Sequence, residues 1–126
     1  MTELIIDADT GVDDSLAILY ALRHPNARVL GITTGFGNTS AQNAARNSLC
    51  LVDMAKPPYP VPVAVGAEGA QSGRAPEYPV QIHGENGLAN VQLPPPAQKA
   101  LAEEAADYII RLAREKTGRI TLVTLG

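Results

Sequence analysis

The sequence predicts an α/β fold, with an open, mostly parallel sheet and helices on its faces. Short apolar runs suited to buried strands alternate along the chain with segments of helical apolar spacing, in the order β-α-β-α-β-loop-α-β. The length of 126 residues and the hydrophobic fraction of 45% fit one domain with its own core. We therefore treat residues 1–126 as a single domain.

Each element has its own signal. The first, second and fourth strands are apolar runs bounded by turn residues, whereas Pro62 places the third at a sheet edge or a strand start. Apolar residues recur at helical spacing in all three helices, and Thr39 or Ser40 can cap the second helix. The predicted elements are strands at 4–6, 29–33, 61–65 and 119–125 and helices at 13–22, 40–55 and 97–116.

Residues 66–96 are rich in glycine, proline and polar side chains and have no clear period. A loop of this length inside a compact domain is typical of a functional lid or a disordered segment. We expect a loop that acts as a lid.

Composition excludes several classes of protein. A net charge of −3 and a pI near 5.3 argue against a nucleic-acid binder. The single cysteine, Cys50, excludes an intrachain disulfide framework and a cysteine-rich zinc site. No apolar run reaches the ~18 residues that span a bilayer, and the N-terminal residues do not resemble a secretory signal. We expect a cytoplasmic protein with no membrane partner.

The acidic loop, residues 7–14, follows the first predicted strand and holds four carboxylates, at Asp7, Asp9, Asp13 and Asp14. Ligands of open α/β sheets bind at this edge, and crowded carboxylates repel unless a cation neutralises them. Oxygen ligands favour Ca²⁺ or Mg²⁺, and Gly11 permits a tight turn. Helix capping by Asp13 and the helix dipole at Asp14 would explain two of the four carboxylates without a metal. They do not explain Asp7 and Asp9, which have no basic residue beside them in sequence, so we expect the four carboxylates to form a cation-binding cluster.

Two other acidic motifs are compared with this loop. An EF-hand is excluded, because Val12 and Ile18 stand where its glycine and glutamate are required. A strand ending in Asp-x-Asp also resembles the haloacid-dehalogenase-like phosphatases, with Asp7 as nucleophile and Asp9 as acid/base. The pair Asp13-Asp14 is foreign to that motif, so the phosphatase remains the alternative enzyme.

The run D-x-D-x-G-x-D-D-x-x-A, from Asp7 to Ala17, resembles the N-terminal signature of the nucleoside hydrolases, the inosine-uridine-preferring family. The similarity extends along the whole chain. It includes the segments at 31–34, 37–38, 46–47, 61–66, 83–87 and 120–126. The resemblance implies a Rossmann-like fold of the nucleoside-hydrolase type and hydrolysis of the N-glycosidic bond of ribonucleosides, with a Ca²⁺-bound water as the attacking group.

The resemblance also implies roles for residues of the metal site. Asp9 would be a Ca²⁺ ligand and the general base, Asp14 a second ligand, and the backbone carbonyl of Leu125 a third. Asp7 and Gly11 would support the loop.

Three further residues are assigned to substrate by the same resemblance. Asp13 would accept a hydrogen bond from a ribose hydroxyl, and Asn38 would lie at the ribose edge of the pocket. His83 would contact the substrate from a mobile segment and is a candidate catalytic residue, although a lone histidine in a glycine-rich loop is equally often a surface residue.

The resemblance covers only the first part of the family's longer domain, so we expect a truncated domain. The family's last metal-ligating aspartate and several substrate-contacting residues lie outside it, and Asn86 replaces an aspartate of the family's His-Gly-x-Asp-Gly segment. We therefore expect little or no turnover from this chain alone. A non-catalytic fragment that binds ribose or metal is the alternative, and the family's tendency toward dimers and tetramers leaves a homo-oligomer open.

Overall fold

The computed structural model describes all residues, 1–126, and contains four strands and four helices. The four strands form one parallel sheet in the order β3-β2-β1-β4, which confirms the predicted fold class. In chain order the elements are β1 (Thr2–Ala8), α1 (Val12–Arg23), β2 (Ala27–Thr34), α2 (Ala41–Ala55), β3 (Val63–Val65), α3 (Val80–His83), α4 (Ala105–Glu115) and β4 (Ile120–Thr124).

The helices cover both faces of the sheet. The larger core lies under α1 and α2, where Ile18 and Leu49 pack against Ile6, Ile32 and other sheet residues. The smaller core lies on the other face under α4 and contains Ile5, Ala64, Ala105, Tyr108 and Leu112. Alternation along β1 sends Ile5 to one core and Ile6 to the other, so β1 is buried on both faces.

Close packing of α4 on the sheet depends on a glycine in β2. The Tyr108 hydroxyl donates a hydrogen bond to the Leu30 carbonyl at 2.9 Å, and its ring crosses the backbone at Gly31. A Cβ at Gly31 would lie 2.5 Å from the Tyr108 oxygen. The lack of a side chain at Gly31 therefore lets α4 reach the strand.

Ser40 caps α2, as the sequence predicts for Thr39 or Ser40. Its hydroxyl oxygen accepts a hydrogen bond from the Asn43 N–H at 3.1 Å. The N-cap of α1 is Gly11 and not Asp13, so helix capping does not account for the Asp13 carboxylate. Asp13 is instead exposed on the first turn.

The predicted third helix begins too early, since the helix (α4) starts at Ala105 and not near Ala97. The residues before it bond to β3 and to the segment that leads into β3. The Leu101 N–H donates to the Val63 carbonyl at 2.8 Å, and the Gln98 side chain donates to the Val61 carbonyl at 3.1 Å. Tertiary pairing has overridden helical apolar spacing in residues 97–104.

The third strand is also shorter than predicted, because regular pairing begins at Val63, after Pro62. Within the predicted loop, residues 80–83 form the short helix α3, for which the sequence has no clear periodic signal. No helix in the structure has the length and apolar character needed to cross a bilayer.

Candidate active site

The acidic loop joins β1, a central strand of the sheet, to the start of α1. It emerges at the carboxyl edge, beside the turn that follows β2. Asp9 and Asp14 are buried, with exposed fractions of 8% and 5%, whereas Asp13 is exposed and Asp7 is half-buried. The four carboxylates therefore do not share one environment.

Asn38 holds two of the carboxylates together. Its backbone N–H donates to Asp9 Oδ2 at 2.7 Å, and its side-chain Nδ2 donates to Asp14 Oδ2 at 3.1 Å. Asp14 Oδ2 also accepts from the Gly11 N–H at 3.2 Å, which closes the first turn of α1. Asp9, Asp14 and Asn38 are thus one hydrogen-bonded group.

The other two carboxylates lie outside this group. Asp7 Oδ1 accepts a hydrogen bond from the Thr33 hydroxyl at 2.6 Å, and Asp7 lines a cavity of about 910 Å³ on the α4 side of the sheet. Neither Asp9 nor Asp14 lines that cavity. The structure contains no group of three or more His, Cys, Asp or Glu side chains placed to hold a metal. The expected cluster of four carboxylates is therefore wrong, and the loop provides a buried pair.

Asp9 has an unpaired oxygen. Asp9 Oδ1 is fully buried and accepts no hydrogen bond, although Oδ2 of the same carboxylate is paired. A buried carboxylate oxygen without a partner is costly to maintain. The chain after β4 passes close to this oxygen, since a Cβ at Gly126 would lie 3.6 Å from it.

Burial raises the pKa of Asp14 above its ordinary value, and the nearby Asp9 and Asp13 carboxylates raise it further. The hydrogen bond from Gly11 opposes these effects without cancelling them. Asp14 therefore holds a proton more readily in the folded chain than in the unfolded chain.

We expect the metal-free chain to lose stability as the pH rises through the titration of Asp14. Because the pKa of Asp14 is higher in the folded chain than in the unfolded chain, where it is about 4, its protonated form stabilises the fold. This stabilisation is fully present below the unfolded-state pKa and is lost as the pH rises through the folded-state pKa. The change is measured by thermal unfolding in chelator across this pH range. Asp14→Asn cannot ionise, so it should flatten that part of the profile, and an unchanged profile would contradict the assignment.

His83 lies against the acidic loop and is 8% exposed, so it is not a surface residue. Its Nδ1 accepts a hydrogen bond from the Val12 N–H at 3.1 Å. Asn86 closes the turn that follows. Its Oδ1 accepts from the Leu88 and Asn90 N–H groups at 2.8 and 3.0 Å, which an aspartate oxygen could also do.

Sequence reasoning assigned no role at the site to two residues of α2, Asn47, which lies in the resembling segment 46–47, and Ser48. Asn47 donates to the Thr10 carbonyl at 3.1 Å, and the Ser48 hydroxyl lies 2.8 Å from the Thr10 hydroxyl. Both are buried beside the apolar residues of α2. The sequence signal that could have indicated them is the presence of polar residues within the apolar, inward face of a helix.

The family model for inosine-uridine preferring nucleoside hydrolases matches residues 4–126. The chain belongs to this family. The match corresponds to the N-terminal part of the nucleoside hydrolase domain.

Curated relatives agree with this family assignment. The chain is 44% identical over 124 residues to uridine nucleosidase 1 of Arabidopsis thaliana, covering 98% of the chain and 37% of the relative. It is 33% identical to a pyrimidine-specific ribonucleoside hydrolase of Shewanella baltica, covering 98% of the chain and 38% of the relative.

A solved structure agrees as well. The purine-preferring ribonucleoside hydrolase from Gardnerella vaginalis superposes with a TM-score of 0.92 at 37% identity, covering 99% of this chain and 40% of that one. The chain therefore spans about two fifths of the length of the nucleoside hydrolases that it matches.

Proposed function

We propose that this chain provides the Ca²⁺-binding and ribose-binding part of a nucleoside hydrolase that cleaves the N-glycosidic bond of ribonucleosides. The observation that carries the proposal is the unpaired, fully buried Oδ1 of Asp9 beside the carboxyl group of Asp14. Family membership supports the reaction class and argues against the haloacid-dehalogenase-like phosphatase.

The residues present fit a hard divalent cation. Asp9 and Asp14 offer carboxylate oxygens only, which favours Ca²⁺ or Mg²⁺ over softer metals. A cation there would pair Asp9 Oδ1 and would favour the ionised form of Asp14. The family resemblance implies the Leu125 carbonyl as the third ligand. The Leu125 N–H pairs with the Asp7 carbonyl at 2.8 Å, and this position beside β1 supports that assignment.

The chain's own residues would then act on the sugar. When bound, Ca²⁺ lowers the pKa of a coordinated water and binds vicinal hydroxyls. Asp9 would accept a proton from that water as general base. Asp13, which is exposed on the first turn of α1, would accept a hydrogen bond from a ribose hydroxyl. Asn38 fixes the separation of the two buried carboxylates. Their negative charge would stabilise an oxocarbenium-like transition state.

Calorimetric titration of the chelator-treated chain with Ca²⁺ tests the cation site. We expect saturable binding of Ca²⁺, followed by binding of uridine that depends on Ca²⁺. Binding of 2′-deoxyuridine should be weaker, because it lacks one hydroxyl of the diol. Absence of Ca²⁺ binding at millimolar concentration would refute the proposal.

Turnover separates the enzyme from a non-catalytic fragment. We expect little release of uracil from uridine by this chain alone, since it spans 37% of uridine nucleosidase 1 of Arabidopsis thaliana. Combining the chain with the C-terminal part of that relative should restore release of uracil. Ca²⁺ and uridine binding without restored turnover would favour a ribose-binding and metal-binding fragment.

A further inference from the structure

The segment at residues 83–90 is bonded to the acidic loop rather than free of it. The Val12 N–H donates to His83 Nδ1. On α2, the Asn47 side chain donates both to the Thr10 carbonyl at 3.1 Å and to the Asn86 carbonyl at 2.8 Å. Two buried side chains therefore connect this segment to the loop between Asp9 and Asp14.

His83 supplies a helix cap from a distant part of the chain. The first N–H groups of a helix lack intrahelical partners, and the N-cap of α1, Gly11, has no side chain to accept from them. His83 Nδ1 accepts from one of these groups, across 71 positions of sequence. The ring lies directly on Gly11, where a Cβ would come within 2.5 Å of Nδ1.

These contacts fix the backbone that joins the two buried carboxylates. The Thr10 carbonyl is held by Asn47 and the Val12 N–H by His83, and between them the Gly11 N–H bonds to Asp14 Oδ2. The path from Asp9 to Asp14 is thus restrained on both sides of Gly11. A site whose ligands are fixed in advance binds its cation with less ordering cost.

We propose that His83 is a positioning residue, which accepts the Val12 N–H through Nδ1 and so pre-organises Asp9 and Asp14 for the cation. This inference rests on the proposed function for the identity of the cation. It assigns to His83 a role in positioning the acidic loop, in addition to the substrate contact implied by the family resemblance. Asn47 shares this role by joining the 83–90 segment to Thr10.

Two substitutions of equal polarity test the acceptor atom. In His83→Asn the side-chain oxygen is as many bonds from Cα as Nδ1, so it can accept from the Val12 N–H. In His83→Gln the amide extends to the position of Nε2. We expect His83→Gln and His83→Ala to weaken Ca²⁺ binding by about 10-fold, which is the smallest loss of affinity usual when a residue that supports a metal ligand is removed. The Ca²⁺ affinity of His83→Asn should stay close to that of wild type.

Amide hydrogen exchange at Val12 provides a second measurement that needs no cation. Exchange should be faster in His83→Gln and His83→Ala and slow in His83→Asn. The matched control is His24→Gln, since His24 Nδ1 also accepts a backbone N–H, from Asn26 at 3.2 Å, at the opposite end of α1. The control should change neither Ca²⁺ affinity nor exchange at Val12.

Equal Ca²⁺ affinity and equal Val12 exchange in His83→Asn and His83→Gln would overturn the inference. If the wild-type chain binds no Ca²⁺, the proposed function fails, while the exchange comparison still decides whether His83 caps α1. If Ca²⁺ binds to the wild type and to His83→Gln with the same affinity, the positioning role fails and the proposed function stands.

Discussion

Asp9→Asn is expected to reduce Ca²⁺ affinity by about 100-fold or more, because it removes the charge from a proposed direct ligand, and loss of an outer-shell partner already costs 10–100-fold. The same substitution should not destabilise the metal-free chain. Asparagine can keep the hydrogen bond from the Asn38 N–H and can place an amide where Asp9 Oδ1 now has no partner. It also removes one charge beside Asp14.

Thermal unfolding with and without Ca²⁺ measures both effects. A ligand at 100 times its dissociation constant stabilises the wild type by about 2.7 kcal/mol, and Asp9→Asn should lose this gain. Without Ca²⁺ its Tm should equal or exceed that of wild type. Asp53→Asn is the charge-matched control, because Asp53 bonds to the Ala97 N–H away from the site. If Ca²⁺ still raises the Tm of Asp9→Asn as much as that of wild type, Asp9 is excluded as a ligand.

Gly37→Ala is expected to displace the Asp9 carboxylate. An added Cβ would lie 2.2 Å from Asp9 Oδ2 and 3.0 Å from its carboxyl carbon. Because Asp9 is 8% exposed, it has little room to move without losing the Asn38 hydrogen bond. Overpacking of this kind costs about 1–3 kcal/mol, so we expect a lower Tm in chelator and Ca²⁺ binding weaker by about 10-fold or more.

Gly35→Ala is the matched control for this prediction. Gly35 lies in the same turn after β2, and a Cβ there would have no neighbour within 4 Å. Its Ca²⁺ affinity should remain that of wild type. Calorimetry measures both affinities. Equal Ca²⁺ affinities in Gly35→Ala and Gly37→Ala would show that the position of the Asp9 carboxylate does not require the absence of a side chain at residue 37.

Elements whose signal is local were predicted well from the sequence. The apolar runs of β1 and β2 and the Ser40 cap depend on neighbouring residues, and the structure confirms them. The start of α4 was predicted wrongly because it is decided at long range, by the Leu101 bond to β3. Apolar spacing alone contains no information about that competing partner.

The same distinction applies to the site. The sequence shows that Asp9 and Asp14 are near one another, but four acidic residues in eight positions also predict a cluster that does not form. Asp7 lies within β1 and is held on the α4 side of the sheet by the hydroxyl of Thr33, whereas Asp9 lies beyond the end of the strand. The contacts of Asn47 and His83 join segments more than 35 positions apart, so a local pattern can indicate a buried polar residue but not its bonding partner.

The pairing of β1 with β4 has a consequence for folding. Glu3 lies opposite Ile120, so the two strands beside the acidic loop are joined by a contact of very high sequence separation. Such contacts form slowly, since a long loop must close before they are gained. The pairing of β1 with β4 should therefore form later than the pairing of β1 with β2, in which Thr2 lies opposite Ala27.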